Sequence, residues 1–314
     1  MKIVFMGTPD FAVPSLKALH AAGHEIVACI TKEDAPKGRK MILTPPPVKV
    51  AAEELGIPVY QPKTLRDEAF AELLATLDPE LIAVVAYGKI LPVNVLDYPK
   101  FGCINVHGSL LPEYRGAAPM QRVIMDGKPV TGITTMYMAD GVDTGDMLLK
   151  KEHEIGENET YGEMSEILSQ MGAELLVETV ALALEGKLVR IKQDDSLATH
   201  AAKIDRAEEE LNFAESAQVC HNRIRALSPA PMCRAYMPNG SLLKIAKTYV
   251  ASEKTDAAPG TVICADKCLH IACGGGTVLG VSELVPEGKQ KMVAADYLRG
   301  RKLFCGDILR GKKE

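Results

Sequence analysis

The sequence has no C-x-x-C pair, no internal repeat, no low-complexity tract and no tryptophan. Its cysteines are Cys29, Cys103, Cys220, Cys233, Cys264, Cys268, Cys273 and Cys305. Cys264, Cys268 and Cys273 are close in sequence. They fall in alternating, strand-like sequence with no His or Cys at finger spacing, so no metal is expected and reduced, mostly buried thiols are. Long apolar runs are missing too. None approaches the roughly 18 residues of a membrane-crossing helix. The apolar run after Lys2 is stopped by Gly7, Pro9 and Asp10, before it reaches the length of a secretory leader. The expectation is a cytoplasmic protein with no membrane partner. What is present is ordinary: 47% hydrophobic and 25% charged residues, which excludes disordered and fibrous classes. The 314 residues are enough for two domains.

The formal net charge is small, -5, but the charge is unevenly spread. Residues 1–205 hold 20 Lys+Arg against 29 Asp+Glu, and residues 206–314 hold 16 against 12. The C-terminal third is therefore basic, a hint of an anionic partner.

Short apolar runs alternate with helical spacing through the first half. Residues 2–6, 26–30 and 81–86 read as strands. Residues 11–19, 51–55 and 68–77 read as helices. That alternation predicts an α/β fold with a Rossmann-like, mostly parallel sheet and right-handed crossovers. The first turn, Gly7-Thr8-Pro9-Asp10-Phe11-Ala12, lacks the second glycine of G-x-G-x-x-G, which argues against a bound dinucleotide. Residues 132–138 and 147–154 read as a strand-loop-strand unit closing the sheet, and 160–184 as one long helix ended by Gly186. The expected domains are 1–187, a catalytic domain; 188–206, a polar linker; and 207–314. The last begins with a short helix near 216–225. Short alternating segments turned by Pro238-Asn239-Gly240 and Gly274-Gly275-Gly276 follow it, predicting a small C-terminal β-barrel of the OB type.

The densest polar chemistry follows an apolar strand, in Asn105-Val-His107-Gly-Ser109-Leu110-Leu111-Pro112. Asn105 and His107 are two apart on a strand, so they share a face, near the strand end where open parallel sheets bind ligands. An amide can stabilise an oxyanion. An imidazole can exchange a proton near neutral pH. Asp143, in Asp140-Gly-Val-Asp143-Thr-Gly-Asp, can orient that imidazole and help relay protons. Taken singly, each has a blander reading: a satisfied strand histidine, a loop-bonding amide, a turn aspartate.

Taken together, these motifs resemble the 10-formyltetrahydrofolate-dependent formyltransferases. The opening 2–12, the stretch Val85-Ala-Tyr-Gly-Lys-Ile-Leu-Pro92 and Asp296-Tyr-Leu-Arg-Gly-Arg301 resemble those members that formylate methionine carried by initiator tRNA. The resemblance implies Asn105, His107 and Asp143 as the catalytic trio. It implies 10-formyltetrahydrofolate as co-substrate, held between Ser109, Leu110, Leu111 and Pro112 on one side and Tyr87, Ile90 and Leu91 on the other. It also matches the long 31–49 segment, with Lys37, Arg39 and Lys40, to a basic loop that enters the acceptor end of the tRNA. The basic C-terminal domain would follow phosphates with Arg206, Arg223, Arg299 and Arg301, and with Arg225, Lys244, Lys247 and Lys302 as further candidates. A monomer is expected. Ala230 and Phe213 stand where relatives carry tryptophan. The rival readings are a formyltransferase acting on a nucleotide-sugar amine, and a non-catalytic RNA-binding protein. The basic 31–49 segment argues against the first, and the intact trio against the second.

Overall fold

The computed structural model describes residues 1–38, 41–300 and 302–312. These form two compact units, one of residues 1–116, 131–153 and 165–201, the other of 117–130, 154–164 and 202–314.

The first unit is built on a seven-stranded sheet. Its strands are β1 (Lys2–Gly7), β2 (Glu25–Ile30), β3 (Val59–Tyr60), β4 (Leu81–Val85), β5 (Cys103–His107), β6 (Val130–Tyr137) and β7 (Met147–Glu154). They lie in the order β7-β6-β5-β4-β1-β2-β3. β5, β4, β1, β2 and β3 pair in parallel, whereas β6 runs antiparallel to β5. The fold is thus mixed α/β with a mostly parallel sheet, as the alternating pattern predicts. Every residue of β4 is buried, and neighbouring side chains point to opposite faces, so this strand is covered on both. The chain builds β1, β2 and β3 outward, then returns to the other side of β1 as β4. The carboxyl ends of β1 and β4 thereby form a switch point, where Thr8 Oγ1 donates to the Tyr87 carbonyl at 3.0 Å.

The predicted long helix is Tyr161–Leu184. It starts with a capping box: the Thr160 hydroxyl accepts the Glu163 N–H at 3.3 Å, and the Glu163 carboxylate accepts the Thr160 N–H at 2.9 Å. By length and composition it could cross a membrane, yet half of its most apolar window is buried within the protein. Met164, Leu168, Leu176 and Val180 are completely buried, the pattern of a core helix. At Gly172 the helix comes close to β5, since a Cβ there would lie 2.9 Å from Val106 Cγ1.

The second unit carries an antiparallel sheet of β8 (Cys233–Tyr236), β9 (Leu242–Ala251), β10 (Val262–Ala265), β11 (Leu269–Cys273), β12 (Thr277–Pro286) and β13 (Met292–Val293). The order is β8-β9-β12-β11-β10, with β13 beside β12. Helix Ala217–Ala226 precedes it, capped by the Ser216 hydroxyl. From this helix Ile224 joins Leu211, Phe213, Leu243, Ile245, Leu269 and Leu279 in the unit's core. Phe213 fills core volume as a smaller ring than the expected indole.

The 188–206 stretch, expected as a polar linker, holds a 3-10 turn, Asp195–Leu197, and His200–Ala201 pairs in parallel with Arg115–Gly116. Buried Gln193 and Ala201 anchor it. Cys29, Cys103, Cys220, Cys233 and Cys273 are buried as expected, but Cys264 and Cys268 are half-buried and Cys305 is exposed.

Candidate active site

β5 ends next to the switch point, with Val84 opposite Asn105 on β4 and Thr134 opposite His107 on β6. His107 is buried. Its Nε2 lies 3.0 Å from the Tyr114 carbonyl. A carbonyl only accepts, so Nε2 carries a hydrogen. The other nitrogen, Nδ1, faces Asp143 Oδ2 at 3.5 Å. Nδ1 is therefore the nitrogen that faces the carboxylate. Half-buried Asn105 makes no side-chain hydrogen bond among the described residues, which leaves its amide available to a ligand.

Asp143 owes its place to a tightly specified loop. It adopts φ 53°, a left-handed conformation that aspartate tolerates better than most residues. Its Oδ2 accepts the Gly116 N–H at 2.9 Å. Gln193 Nε2 donates to the Asp143 carbonyl at 2.8 Å and to the Gly145 carbonyl at 2.7 Å. Arg115 Nε holds Gln193 Oε1 at 2.9 Å, and its Nη2 pairs with Asp195 at 2.8 Å. At Gly145 any Cβ would collide with the Tyr137 carbonyl, so only glycine permits the close return of the loop to β6.

The segment after His107 is fixed just as firmly. Thr134 Oγ1 donates to the Ser109 carbonyl at 2.7 Å and accepts the Leu111 N–H at 3.1 Å. The Ser109 hydroxyl donates to the Glu113 carbonyl at 2.7 Å. Thr199 Oγ1 accepts the Tyr114 N–H at 2.8 Å, and Tyr114 has φ 59°. Lys150 Nζ donates to the Leu111 carbonyl, and burial pulls its pKa below the usual lysine value.

The sequence-predicted folate residues fall into two groups. Ser109, Leu111, Tyr87 and Leu91 are buried. The Tyr87 ring is a core residue, packed in one cluster with Met6, Leu91 and Val95, so it offers no side-chain wall. Burial pushes its hydroxyl up to about 12. Ile90 is 75% exposed and Val93 52% exposed, so the open apolar surface of this loop is theirs. Leu110 and Pro112 are half-buried.

The predicted tRNA residues are not gathered in one place. Arg39, Lys40 and Arg301 lie outside the described residues. Lys37 is exposed on a hairpin of Ala35–Lys37 and Ile42–Thr44, whose Met41, Ile42 and Leu43 are each more than 60% exposed. Arg206 is exposed and Arg223 half-buried. Arg299 pairs with Asp296 at 3.0 Å on the surface. Three further candidates are committed elsewhere. Arg225 is buried and donates to the Gly156 and Glu159 carbonyls. Lys244 donates to the Pro231 carbonyl, and Lys247 pairs with Glu163.

Sequence reasoning missed Gln193, Thr134, Thr199 and the Tyr114 carbonyl. Gln193 sits in a stretch that reads as linker, and a backbone carbonyl carries no sequence signal at all.

Residues 1–180 match the formyl transferase family model and residues 203–302 match the formyl transferase C-terminal domain. The methionyl-tRNA formyltransferase of Bacillus velezensis is 47% identical over 98% of this chain and 97% of its own. That of Bacillus subtilis is 45% identical over 98% and 97%. An N-formyltransferase from Helicobacter canadensis, solved with folinic acid and dTDP-3-aminofucose, has the same fold, with a TM-score of 0.67 at 19% identity over 90% of this chain and 98% of that one. From the matched models and the near full-length relatives, the chain belongs to the formyl transferase family.

Proposed function

We propose that this chain moves the formyl group of 10-formyltetrahydrofolate onto the amino group of methionyl-initiator tRNA, giving N-formylmethionyl-tRNA for translation initiation. The observation that carries this reading is the meeting of an imidazole, a carboxylate and an unpartnered amide at the end of β5, in a chain 47% identical to a methionyl-tRNA formyltransferase.

The folate supplies the formyl carbon. Ile90 and Val93 offer it apolar contact, and the backbone of 109–112 is held rigid by Thr134 for polar contact. Asn105 donates its amide hydrogen to the formyl oxygen as negative charge develops there. His107 takes the proton of the attacking amine at Nδ1, since Nε2 is committed to Tyr114. Asp143 stabilises the resulting imidazolium and helps return the proton to the folate nitrogen that leaves.

The acceptor reading rests on the hairpin that follows residues 32–34, with Lys37 on its first strand and the basic pair Arg39 and Lys40 between its two strands in sequence. Arg206, Arg223 and Arg299, together with Arg301, would supply phosphate contacts in the second unit. That unit closes as an OB-like barrel in this reading. Its two edges, β8 and β10, both bond the stretch 307–310: Tyr236 and Arg310 exchange backbone hydrogen bonds of 2.7 and 3.0 Å, and the Val262 N–H donates to the Asp307 carbonyl at 2.8 Å. The enzyme acts as a cytoplasmic monomer.

The test uses purified protein, 10-formyltetrahydrofolate and charged tRNA. Formylated methionyl-tRNA should appear with the initiator species and far less with elongator methionyl-tRNA. Formyl transfer to amino sugars alone, or to water alone, would overturn the acceptor assignment. Arg39→Ala should weaken tRNA use while leaving folate binding near normal; equal loss of both would remove the loop from the acceptor site.

A further inference from the structure

The geometry points to a second reactive site, on the sheet of the C-terminal unit: Cys264 and Cys268 form a dithiol that closes reversibly to an intramolecular disulfide by exchange with a low-molecular-weight disulfide such as oxidised glutathione.

The placement follows from register. β10 and β11 form a hairpin in which Ala265 is opposite Leu269 and Cys264 is opposite His270. Cys268 is two residues before His270, so it emerges on the same face as Cys264, diagonally across the turn. The two sulfurs lie 3.0 Å apart. Both thiols are half-buried, whereas five of the other six cysteines are buried.

The surroundings are polar. His270 lies across from Cys264, and its Nε2 meets the Tyr249 hydroxyl at 2.8 Å while its Nδ1 pairs with the Glu253 carboxylate. Tyr249 reaches His270 because it lies over Gly280, the residue between them in the sheet, where a side chain would strike its ring. Two sulfurs 3.0 Å apart are placed for thiol–disulfide exchange.

The two sulfurs are also differentiated. The hydrogen bond shared with Cys268 and the backbone N–H groups of Asp266 and Cys268 hold the Cys264 thiol below the usual cysteine value. Those two N–H donors favour the thiolate at Cys264 and make it the attacking sulfur. Its sulfur displaces one glutathione thiolate from the disulfide and leaves a mixed disulfide at Cys264. Cys268 loses its proton to solvent and attacks that sulfur, releasing the second glutathione thiolate. The protein is oxidised by two electrons, and one glutathione disulfide is reduced to two thiols.

The experiment uses the full chain with Cys305→Ser, which removes the one fully exposed thiol. After incubation with oxidised glutathione, peptide mapping should find Cys264 joined to Cys268, with a mass loss of about 2 Da that dithiothreitol reverses. With Cys268→Ser added, glutathione should remain attached at Cys264. With Cys264→Ser added instead, Cys268 should react at least ~10-fold more slowly. Stable glutathione on both cysteines of the parent, an unreacted pair, or equal reactivity of Cys264 and Cys268 in the two single-thiol variants would each overturn the assignment.

Discussion

The end of β5 and the charged surface of the C-terminal unit handle polar groups in opposite ways. Around His107, most polar groups have a fixed partner: Gly116, Gln193 and Arg115 hold Asp143, the Tyr114 carbonyl holds the ring, and Thr134 fixes the 109–111 backbone. In the C-terminal unit, the well-bonded cations are structural. Arg225 is buried against backbone carbonyls, and Arg122 clamps Glu208 and the Ala202 and Lys203 carbonyls. The cations left for a partner, such as Arg206 and Arg299, stand in solvent. The difference is what the two proposed tasks would require. A carbonyl reaction needs groups held in place before substrate arrives, whereas phosphate binding needs charge that releases counterions and tolerates motion.

The strongest way to break that comparison is at its centre. His107→Ala should lower turnover by ~10²-fold or more, with folate binding retained. Near-normal turnover would remove the imidazole from the mechanism. Asp143→Asn keeps the shape of the loop and should lower turnover with little change in melting temperature.

A second test asks whether the fixed setting matters as much as the groups it holds. Gly145→Ala forces the loop away from the Tyr137 carbonyl and should move Asp143 from His107. A drop of at least ~10-fold in turnover is expected, with thermal unfolding still cooperative. Full activity would mean that the loop can shift without disturbing the site.

These contrasts also explain what the sequence makes legible. Parallel strands are readable because β4 and β1 are unbroken apolar runs buried on both faces. Asn105 and His107 are readable because a strand puts alternate residues on one face. Gln193 and Thr199 are not readable, since they reach the site only when 193–201 folds back beside Arg115, a long-range contact without local pattern. The sheet edges β8 and β10 both bond residues within 307–310, a stretch too short to show a strand period. Buried and exposed arginines look alike in sequence, so Arg225 and Arg206 are separated only in the fold.

A smaller effect should come from the root of the 31–49 hairpin. Gln61 Nε2 donates to the Lys32 carbonyl at 2.7 Å and to Asp34 at 2.8 Å, and its Oε1 accepts from Lys49 at 3.1 Å. The bond from Gln61, then that from Lys49, holds the Asp34 carboxyl below its ordinary value. Gln61→Ala should raise KM for tRNA by about 3- to 10-fold and leave KM for folate unchanged. If both rise together, Gln61 supports the whole domain rather than the hairpin.

The mildest test concerns stability in the second unit. His221 is buried, with Nδ1 2.9 Å from the Thr248 hydroxyl and Nε2 3.1 Å from the Glu157 carbonyl. Burial, aided by Arg225, holds its pKa below the ordinary histidine value. The unfolded chain therefore takes up a proton on this residue at a higher pH than the folded chain does. The stability that follows is fully present above about pH 6.5 and is lost as pH falls below it. Glu163 and Glu208 have depressed values as well, but as carboxylates their loss comes at lower pH and leaves this window clear. Replacing His221 with Gln keeps a polar side chain without a titrating ring. Between pH 7.5 and 5.5 the wild-type melting temperature should fall by roughly 2–4 °C more than that of the variant; parallel curves would show that the ring binds its proton equally well in the folded and unfolded chain.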